Sequence, residues 1–234
     1  MSFLFNEILY RPIFNLLVFL YNVLPGGDFG VAIIVLTIII RLVFSPFSLK
    51  AITSQKKLSQ LQPRIKEIQE KLKHDKAAQA QAVMELYKKE GVNPMSGCLP
   101  LLVQIPVLFA LYKALANGFD PENLNRLYGF VFNPGVLNNI SFGFFDLALK
   151  SHALAIISGI FQFIQAKMSL SFQKNTVKYS QSSGPDMNAI NKQMLYFFPF
   201  MIIIIGWNLP AGLVLYWAVT TLFSIFEQMY INSK

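Results

Sequence analysis

The sequence predicts an all-α integral membrane protein in which five transmembrane helices surround a hydrophilic groove. Composition is the first reason: 54% of the 234 residues are hydrophobic and 14% are charged, against about 25% charged residues in soluble domains. The second is that nearly charge-free runs of about 20 residues, enough to cross a bilayer, recur along the chain. The third is that the positive charges are concentrated between these runs. With one cysteine and two histidines, we expect no disulfide framework, metal or cofactor.

Residues 1–28 precede the first of these runs and predict an amphipathic helix that lies on the outer membrane surface. Apolar residues recur there at near-helical spacing, while Glu7 and Arg11 interrupt the run. A sixth span is the alternative, but no cation precedes Arg11 to hold the N-terminus in the cytoplasm. A cleaved signal peptide is disfavoured because the positively charged start of such peptides is missing.

The five apolar runs predict helices, because backbone groups in lipid must form hydrogen bonds within the segment. The first run contains a single charge, Arg41. The last run is too long for one crossing and barely long enough for two, and residues 208–212 divide it into a hairpin. The predicted spans are 29–49, 95–116, 147–169, 193–208 and 210–228.

The distribution of Lys and Arg predicts the orientation of these spans. Fifteen of the 20 lie in residues 50–93, in residues 167–192 or at the C-terminal Lys234. Cytoplasmic loops are enriched in Lys and Arg, so we expect the N-terminus outside and the C-terminus in the cytoplasm. The segments expected in the cytoplasm are 50–94, 170–192 and 229–234, and the loop expected outside is 117–146.

The first cytoplasmic segment, 50–94, predicts a charged helical hairpin. Ile65, Ile68 and Leu72 share one helical face, and lysines and glutamates cover the others. A second helix follows Asp75 and ends at Gly91. The pattern leaves two interpretations open: a solvated loop that sets the topology, or a docking surface for anionic lipid heads, RNA or a nascent chain.

Polar side chains form stripes along the predicted spans. A charge in mid-span is costly, so Arg41 is expected to face protein or water. No acidic residue lies in mid-span to neutralise it, which predicts that its guanidinium keeps water in an open groove. Three stripes at helical spacing and one glutamine from the second span would line this groove. The candidate groove residues are Arg41, Thr37, Ser45, Gln104, Ser158, Gln162, Gln165, Trp217 and Thr221.

Each groove candidate also has a purely structural interpretation. Ser and Thr can bond back to their own helix, and Gln can hold neighbouring helices together. Arg41 could extend to the inner interface as a topology anchor, and Trp217 could be a packing or interface residue. Three stripes together with an arginine that lacks a carboxylate partner favour the groove.

Several classes of function are disfavoured by the residues that are missing. The sequence has no Ser, His and Asp set, no HExxH and no glycine-rich phosphate loop, so we do not expect an enzyme. A small-solute channel or transporter is the weaker alternative, because intramembrane Asp or Glu relays and inverted repeats are lacking. Without a GxxxG motif a monomer is expected, and no specific nucleic acid sequence is expected as a partner.

Two long segments resemble a known family. Residues 86–115, LYKKEGVNPMSGCLPLLVQIPVLFALYKAL, and residues 208–217, NLPAGLVLYW, are similar to the signature and the last hairpin of the YidC insertases, relatives of the mitochondrial Oxa and chloroplast Alb proteins. Arg41, in IIIRLVFSPFSLKAITSQKK, matches the single positive residue in the first span of the family core. The resemblance is to a short form without the large external domain of Gram-negative members.

The resemblance implies a function, a location and partners. Family members of the bacterial plasma membrane help hydrophobic segments of nascent proteins enter the lipid bilayer and fold, alone or with the Sec translocon, and the ribosome is a further partner to consider. They hold a groove that is open to cytoplasm and lipid. By position, Arg41 is the groove cation and Gln104, Gln162 and Trp217 line the groove, with Gln165 as the alternative to Gln162.

Overall fold

The computed structural model describes residues 2–93, 99–118, 121–174 and 187–233, and two short strands are the only extended elements within them. The predicted all-α class is confirmed. In chain order the elements are α1 (Ser2–Phe5), a π-helical turn (Asn6–Tyr10), α2 (Arg11–Val23), α3 (Phe29–Lys71), α4 (Lys76–Lys89), α5 (Leu99–Gly118), a 3-10 helix (Pro121–Arg126), β1 (Ile140–Ser141), β2 (Phe145–Asp146), α6 (His152–Lys174), α7 (Met187–Gly206) and α8 (Ala211–Ser233).

Some predictions fall partly outside the described residues. They are residue 1 of the predicted N-terminal helix, residue 94 of the first cytoplasmic segment, the start of the predicted second span at 95–98, residues 119–120 of the predicted external loop, residues 175–186 of the second cytoplasmic loop, and Lys234.

Helices α3, α5, α6, α7 and α8 occupy the five segments predicted to span the membrane, although their bounds differ. Helix α3 does not end near residue 49 but continues to Lys71, so the first span and the first arm of the hairpin are one helix. Helix α6 begins at His152 rather than at residue 147. Asp146 Oδ1 accepts the backbone N–H groups of Ala148 and Leu149 at 2.9 and 3.3 Å, which holds these residues in a turn. The position of each helix in the bilayer stays a prediction.

The N-terminal helix packs into the core of the protein. Its residues Tyr10, Phe14 and Leu17 are fully buried, and the helix contacts α3 and α5. Residues Phe3–Val23 are long and apolar enough to cross a membrane, as are α3 and α8. The location of this helix on the outer surface therefore stays a prediction, with a sixth span as its alternative.

Helix α8 lies at the centre of the helix assembly, where it packs against α3, α5 and α6. Small residues let the neighbouring helices approach closely. A side chain on Gly159 of α6 would overlap Ile203 of α7, and a Cβ on Gly206 would lie 3.2 Å from the Cβ of Ala155. The core that joins α2, α3, α5 and α8 is formed by Tyr10, Phe14, Leu17, Phe29, Ile33, Leu36, Leu111, Leu115, Leu213 and Tyr216.

The end of α3 and helix α4 form a helical hairpin with its own small core. Asp75 caps α4 by accepting the backbone N–H of Ala78 at 2.9 Å. On the surface, Arg64 Nη1 donates to Glu90 Oε1 at 2.5 Å. Partial burial between the arms raises the pKa of the Tyr87 hydroxyl. The apolar residues between the arms are Leu58, Leu61, Ile65, Val83, Leu86, Tyr87 and Val92.

The loop between α5 and α6 is attached to the start of α3 through Asp28. Asp28 Oδ1 caps α3 by accepting the backbone N–H groups of Gly30 at 2.8 Å and Val31 at 3.1 Å, and it also accepts the Ser141 hydroxyl. Its Oδ2 accepts the backbone N–H of Phe142 at 2.6 Å. Burial raises the pKa of Asp28, but these hydrogen bonds outweigh burial and hold the pKa below its usual value.

Candidate functional site

The guanidinium of Arg41 is the centre of the candidate site, and helix α8 positions it. Arg41 lies in α3, and its side chain is only 11% exposed. Its Nη2 donates to the backbone carbonyl of Thr220 at 3.1 Å and to the Ser224 hydroxyl. The guanidinium carbon lies 5.4 Å from the centre of the Phe223 ring, within range of a cation–π interaction. The positive charge is therefore held between two helices.

Glu227 of α8 lies beside this guanidinium. Its Oε2 is 3.7 Å from Arg41 Nη2 and accepts the Ser48 hydroxyl of α3 at 2.7 Å. The expectation that Arg41 has no carboxylate partner is therefore wrong. Both helices run in the same direction, since contacts advance along both chains from Arg41–Thr220 to Ser48–Glu227. Arg41 and Glu227 therefore lie at different levels along the two helices, and their long side chains span this distance.

Four buried polar atoms at this site have no hydrogen-bond partner among the described residues. They are Arg41 Nε of α3 and three atoms of α8: Thr220 Oγ1, Glu227 Oε1 and Gln228 Oε1. A buried donor or acceptor without a partner costs about 1–3 kcal/mol, so such atoms are normally satisfied by water or by a bound polar group. Of five such atoms in the described residues, four belong to this cluster. We call Arg41, Ser48, Thr220, Ser224, Glu227 and Gln228 the polar cluster.

Other polar contacts connect α8 with helices α5 and α6. Gln104 Nε2 of α5 donates to the Tyr216 hydroxyl at 2.7 Å. Ser158 of α6 is buried, and its hydroxyl donates to the Val214 carbonyl at 3.3 Å. The Gln228 amide donates to the Ser169 hydroxyl of α6 at 3.1 Å. Two of the candidate residues, Gln104 and Ser158, thus hold helices together.

The remaining candidates divide into two groups. Thr37 is fully buried and donates to the Ile33 carbonyl at 2.6 Å, and Thr221 donates to the Trp217 carbonyl at 2.9 Å. Both hydroxyls thus bond to their own helix, the structural interpretation given above, and offer no free donor. The second group contains the other four candidates, which are half-buried: Ser45, Gln162, Gln165 and Trp217.

Sequence reasoning missed Thr220, Tyr216 and the pairing of Glu227 with Arg41. The signal was present in the spacing of α8. Thr220, Ser224 and Glu227 follow one another at intervals of four and three residues, which puts them on one helical face. The same spacing extends back to Tyr216. The predicted groove residues Trp217 and Thr221 lie on the neighbouring face of α8, one position further along the chain than Tyr216 and Thr220.

Comparison with known proteins assigns the family. A family model described as 60Kd inner membrane protein matches residues 19–234. A membrane protein insertase YidC from Fusobacterium nucleatum is 33% identical to 97% of this chain, and the match covers 98% of that protein. The chain belongs to the YidC family. The resemblance to this family is thereby confirmed.

Other members of the YidC family differ in length. The insertase YidC of Oceanobacillus iheyensis is 35% identical over 98% of this chain and 84% of its own length. That of Citrifermentans bemidjiense is 36% identical over 95% of this chain, which spans only 36% of the relative. This chain therefore covers about a third of the longer members. Family and apolar helices together identify a bacterial inner-membrane protein.

A solved structure has the same fold. It is described as an active YidC insertase crystal structure with the first transmembrane domain resolved. The two structures superpose with a TM-score of 0.58 at 24% sequence identity, over 95% of this chain and 45% of that one. At this identity the likeness concerns the fold.

Proposed function

We propose that this protein is a membrane protein insertase that transfers hydrophobic segments of nascent proteins from the cytoplasm into the lipid bilayer. The observation that carries the proposal is the polar cluster on two apolar helices: the Arg41 guanidinium, whose Nε has no partner among the described residues, and three oxygen atoms of α8 that likewise have none. Relatives that match nearly the whole chain carry the name membrane protein insertase. Nascent membrane proteins and lipid are the partners that this function requires.

The polar cluster lowers the cost of moving a polar tail across the membrane. A polar group without a hydrogen bond costs several kcal/mol in hydrocarbon. A tail that enters between α3 and α8 meets Arg41 Nε, a buried donor without a hydrogen-bond partner among the described residues. An acidic tail gains most, because its carboxylate forms a charge-assisted hydrogen bond with the guanidinium.

Apolar side chains beside the polar cluster provide an exit to lipid. Leu42 and Val43 follow Arg41 in α3 and are exposed, and Phe226 precedes Glu227 in α8 and is exposed. A client segment that leaves the polar cluster therefore meets apolar surface directly. Each buried CH₂ group of the segment then gains about 0.8 kcal/mol, which drives the segment into the bilayer.

The test is insertion of a small single-span client by the purified protein in liposomes. Two clients are compared, identical except that the translocated tail carries Asp or Asn. We expect Arg41→Ala to reduce insertion of the Asp client by about tenfold or more, since a hydrogen bond to a charged group contributes about 1.5–3 kcal/mol. The Asn client should lose much less. Arg41→Lys should retain part of the preference, because it keeps the charge but not the fork of donors.

Arg126→Ala is the matched control, because it removes an exposed arginine from the loop between α5 and α6. It should leave insertion of both clients unchanged. Equal losses of both clients in Arg41→Ala would contradict the role of its charge. Folded wild-type protein that leaks small solutes but inserts neither client would favour the alternative, a small-solute channel or transporter.

Chaperone activity and cooperation with the Sec translocon or the ribosome are further parts of the proposal. They rest on the family resemblance. Addition of each purified partner to the same liposomes tests them, and we expect the wild-type protein alone to insert the short client. A requirement for a partner would restrict the proposal to an accessory role.

A further inference from the structure

We propose that Glu227 is a specificity-determining residue, an internal carboxylate that competes with acidic client tails for Arg41. The inference deepens the proposed function and rests on it. Glu227 is 6% exposed and lies beside the guanidinium that the acidic tail would use. It is the only carboxylate of the described residues that forms an ion pair with Arg41.

The geometry of the pair shows that Glu227 is an ion-pair partner of Arg41 but not a hydrogen-bond partner. Charge-assisted N–H···O bonds measure about 2.7–2.9 Å, whereas Arg41 Nη2 lies 3.7 Å from Glu227 Oε2. The hydrogen bonds of Nη2 go instead to Thr220 and Ser224. Glu227 is anchored by Ser48, which donates to the same Oε2 at 2.7 Å. The carboxylate is therefore close enough to neutralise the guanidinium without being bonded to it.

Both partners retain an atom for a second ligand. Arg41 Nε and Glu227 Oε1 are buried and have no hydrogen-bond partner among the residues described. A client carboxylate can bond to Arg41 Nε while Glu227 stays on Ser48. It must do so against the repulsion of a second negative charge a few ångströms away, since like charges at this distance disfavour each other strongly.

Glu227 therefore has two opposite effects: it stabilises the Arg41 charge when no client is bound, and it weakens the binding of acidic client tails. Without a client it stabilises the charge of Arg41, which is costly inside a membrane when it has no counter-ion. With a client it weakens binding of acidic tails relative to neutral ones. A neutral polar tail can use the free atoms of the polar cluster without opposing the Glu227 charge.

Binding of two synthetic peptides tests the inference. Each peptide is a labelled single-span segment whose tail carries either two Asp or two Asn residues, and affinity is measured by fluorescence anisotropy with the full chain in nanodiscs. We expect Glu227→Gln to raise the ratio of Asp-peptide to Asn-peptide affinity by about tenfold, the scale of one close charge interaction. Glu70→Gln is the matched control, since it removes an exposed carboxylate from the same helix as Arg41. It should leave the ratio unchanged.

Two further variants keep the test decisive. Glu227→Asp retains the charge but withdraws it from Arg41 by one methylene, so it should raise the ratio by a smaller factor even if Glu227→Gln folds poorly. In an Arg41→Ala background, Glu227→Gln should no longer raise the ratio, because the group competed for is missing.

An unchanged or lower ratio in folded Glu227→Gln and Glu227→Asp would overturn the inference, even where wild-type insertion proceeds. An equal rise in affinity for both peptides would also overturn it, because it would indicate general loosening of the polar cluster. Folded wild-type protein that inserts no client in liposomes would overturn the proposed function and this inference with it.

Discussion

Asp28 and Glu227 are two carboxylates that contact helix α3 at different levels, and their oxygens are used differently. Asp28 accepts four hydrogen bonds, three on Oδ1 and one on Oδ2. Glu227 accepts one, from Ser48, and its Oε1 has no partner among the described residues. A saturated carboxylate fixes a loop to a helix, whereas an unsaturated one beside a cation can still interact with an incoming chain. Asp28 should therefore contribute to the stability of the folded protein, and Glu227 should influence which clients the protein prefers.

The largest stability effect should come from Asp28→Ala. It removes a helix cap, which contributes about 1 kcal/mol, and hydrogen bonds from Ser141 and Phe142 to a charged group, which contribute about 1.5–3 kcal/mol. We expect the free energy of unfolding in detergent to fall by about 3 kcal/mol or more. Asp75→Ala is the matched control, because Asp75 only caps α4, and its loss should be about 1 kcal/mol. Equal losses would contradict the anchoring role of Asp28.

A smaller effect is expected from Gly30→Ala at the same anchor. A Cβ on Gly30 would overlap the Ser141 side chain, so Ser141 must move away from Asp28. We expect a loss of about 2 kcal/mol, within the usual range for overpacking, measured by thermal unfolding. Gly129→Ala is the control, because a Cβ there would meet no atom within 4 Å. If both variants unfold at the same temperature, the close approach of the loop does not contribute to stability.

The smallest effect should be a pH dependence that arises from Asp28. The pKa of Asp28 is lowered in the folded protein from a reference value of 3.8. A carboxyl group with a lowered folded pKa contributes stability above its unfolded pKa and loses it as the pH falls towards the folded pKa. Between about pH 6 and pH 3, the unfolding temperature should therefore fall less in Asp28→Asn than in wild type. Identical pH profiles would show that Asp28 does not contribute.

The sequence predicts the helices well because hydropathy is a local property. Long apolar runs with few charges locate α3, α5, α6, α7 and α8 without any knowledge of their neighbours. The predicted ends of the helices are wrong where a residue type is compatible with more than one local structure. Pro63 is favourable at a helix start, yet it lies inside the 43-residue helix α3. Residues 147–149 are apolar, but hydrogen bonds to Asp146 hold 148 and 149 in a turn.

The polar cluster was predicted only in part, because spacing within one helix does not fix how two helices align. Arg41 is among the predicted groove residues, whereas Thr220 and Glu227 are not. When α3 and α8 are counted from their N-termini, Glu227 lies at a depth between Arg41 and Ser48. The expected orientation makes these two helices parallel and puts the two residues at similar depth, but it does not fix which faces of the helices meet.

The most direct test measures stability and client preference together in Asp28→Asn and Glu227→Gln, which each remove one negative charge with little change in shape. For each variant we would measure the unfolding temperature and the ratio of insertion of the Asp client to the Asn client. Asp28→Asn should lower the unfolding temperature and leave the ratio at its wild-type value. Glu227→Gln should raise the ratio by about tenfold. A ratio that changes in Asp28→Asn, or that stays constant in Glu227→Gln, would contradict the division between a structural and a client-selecting carboxylate.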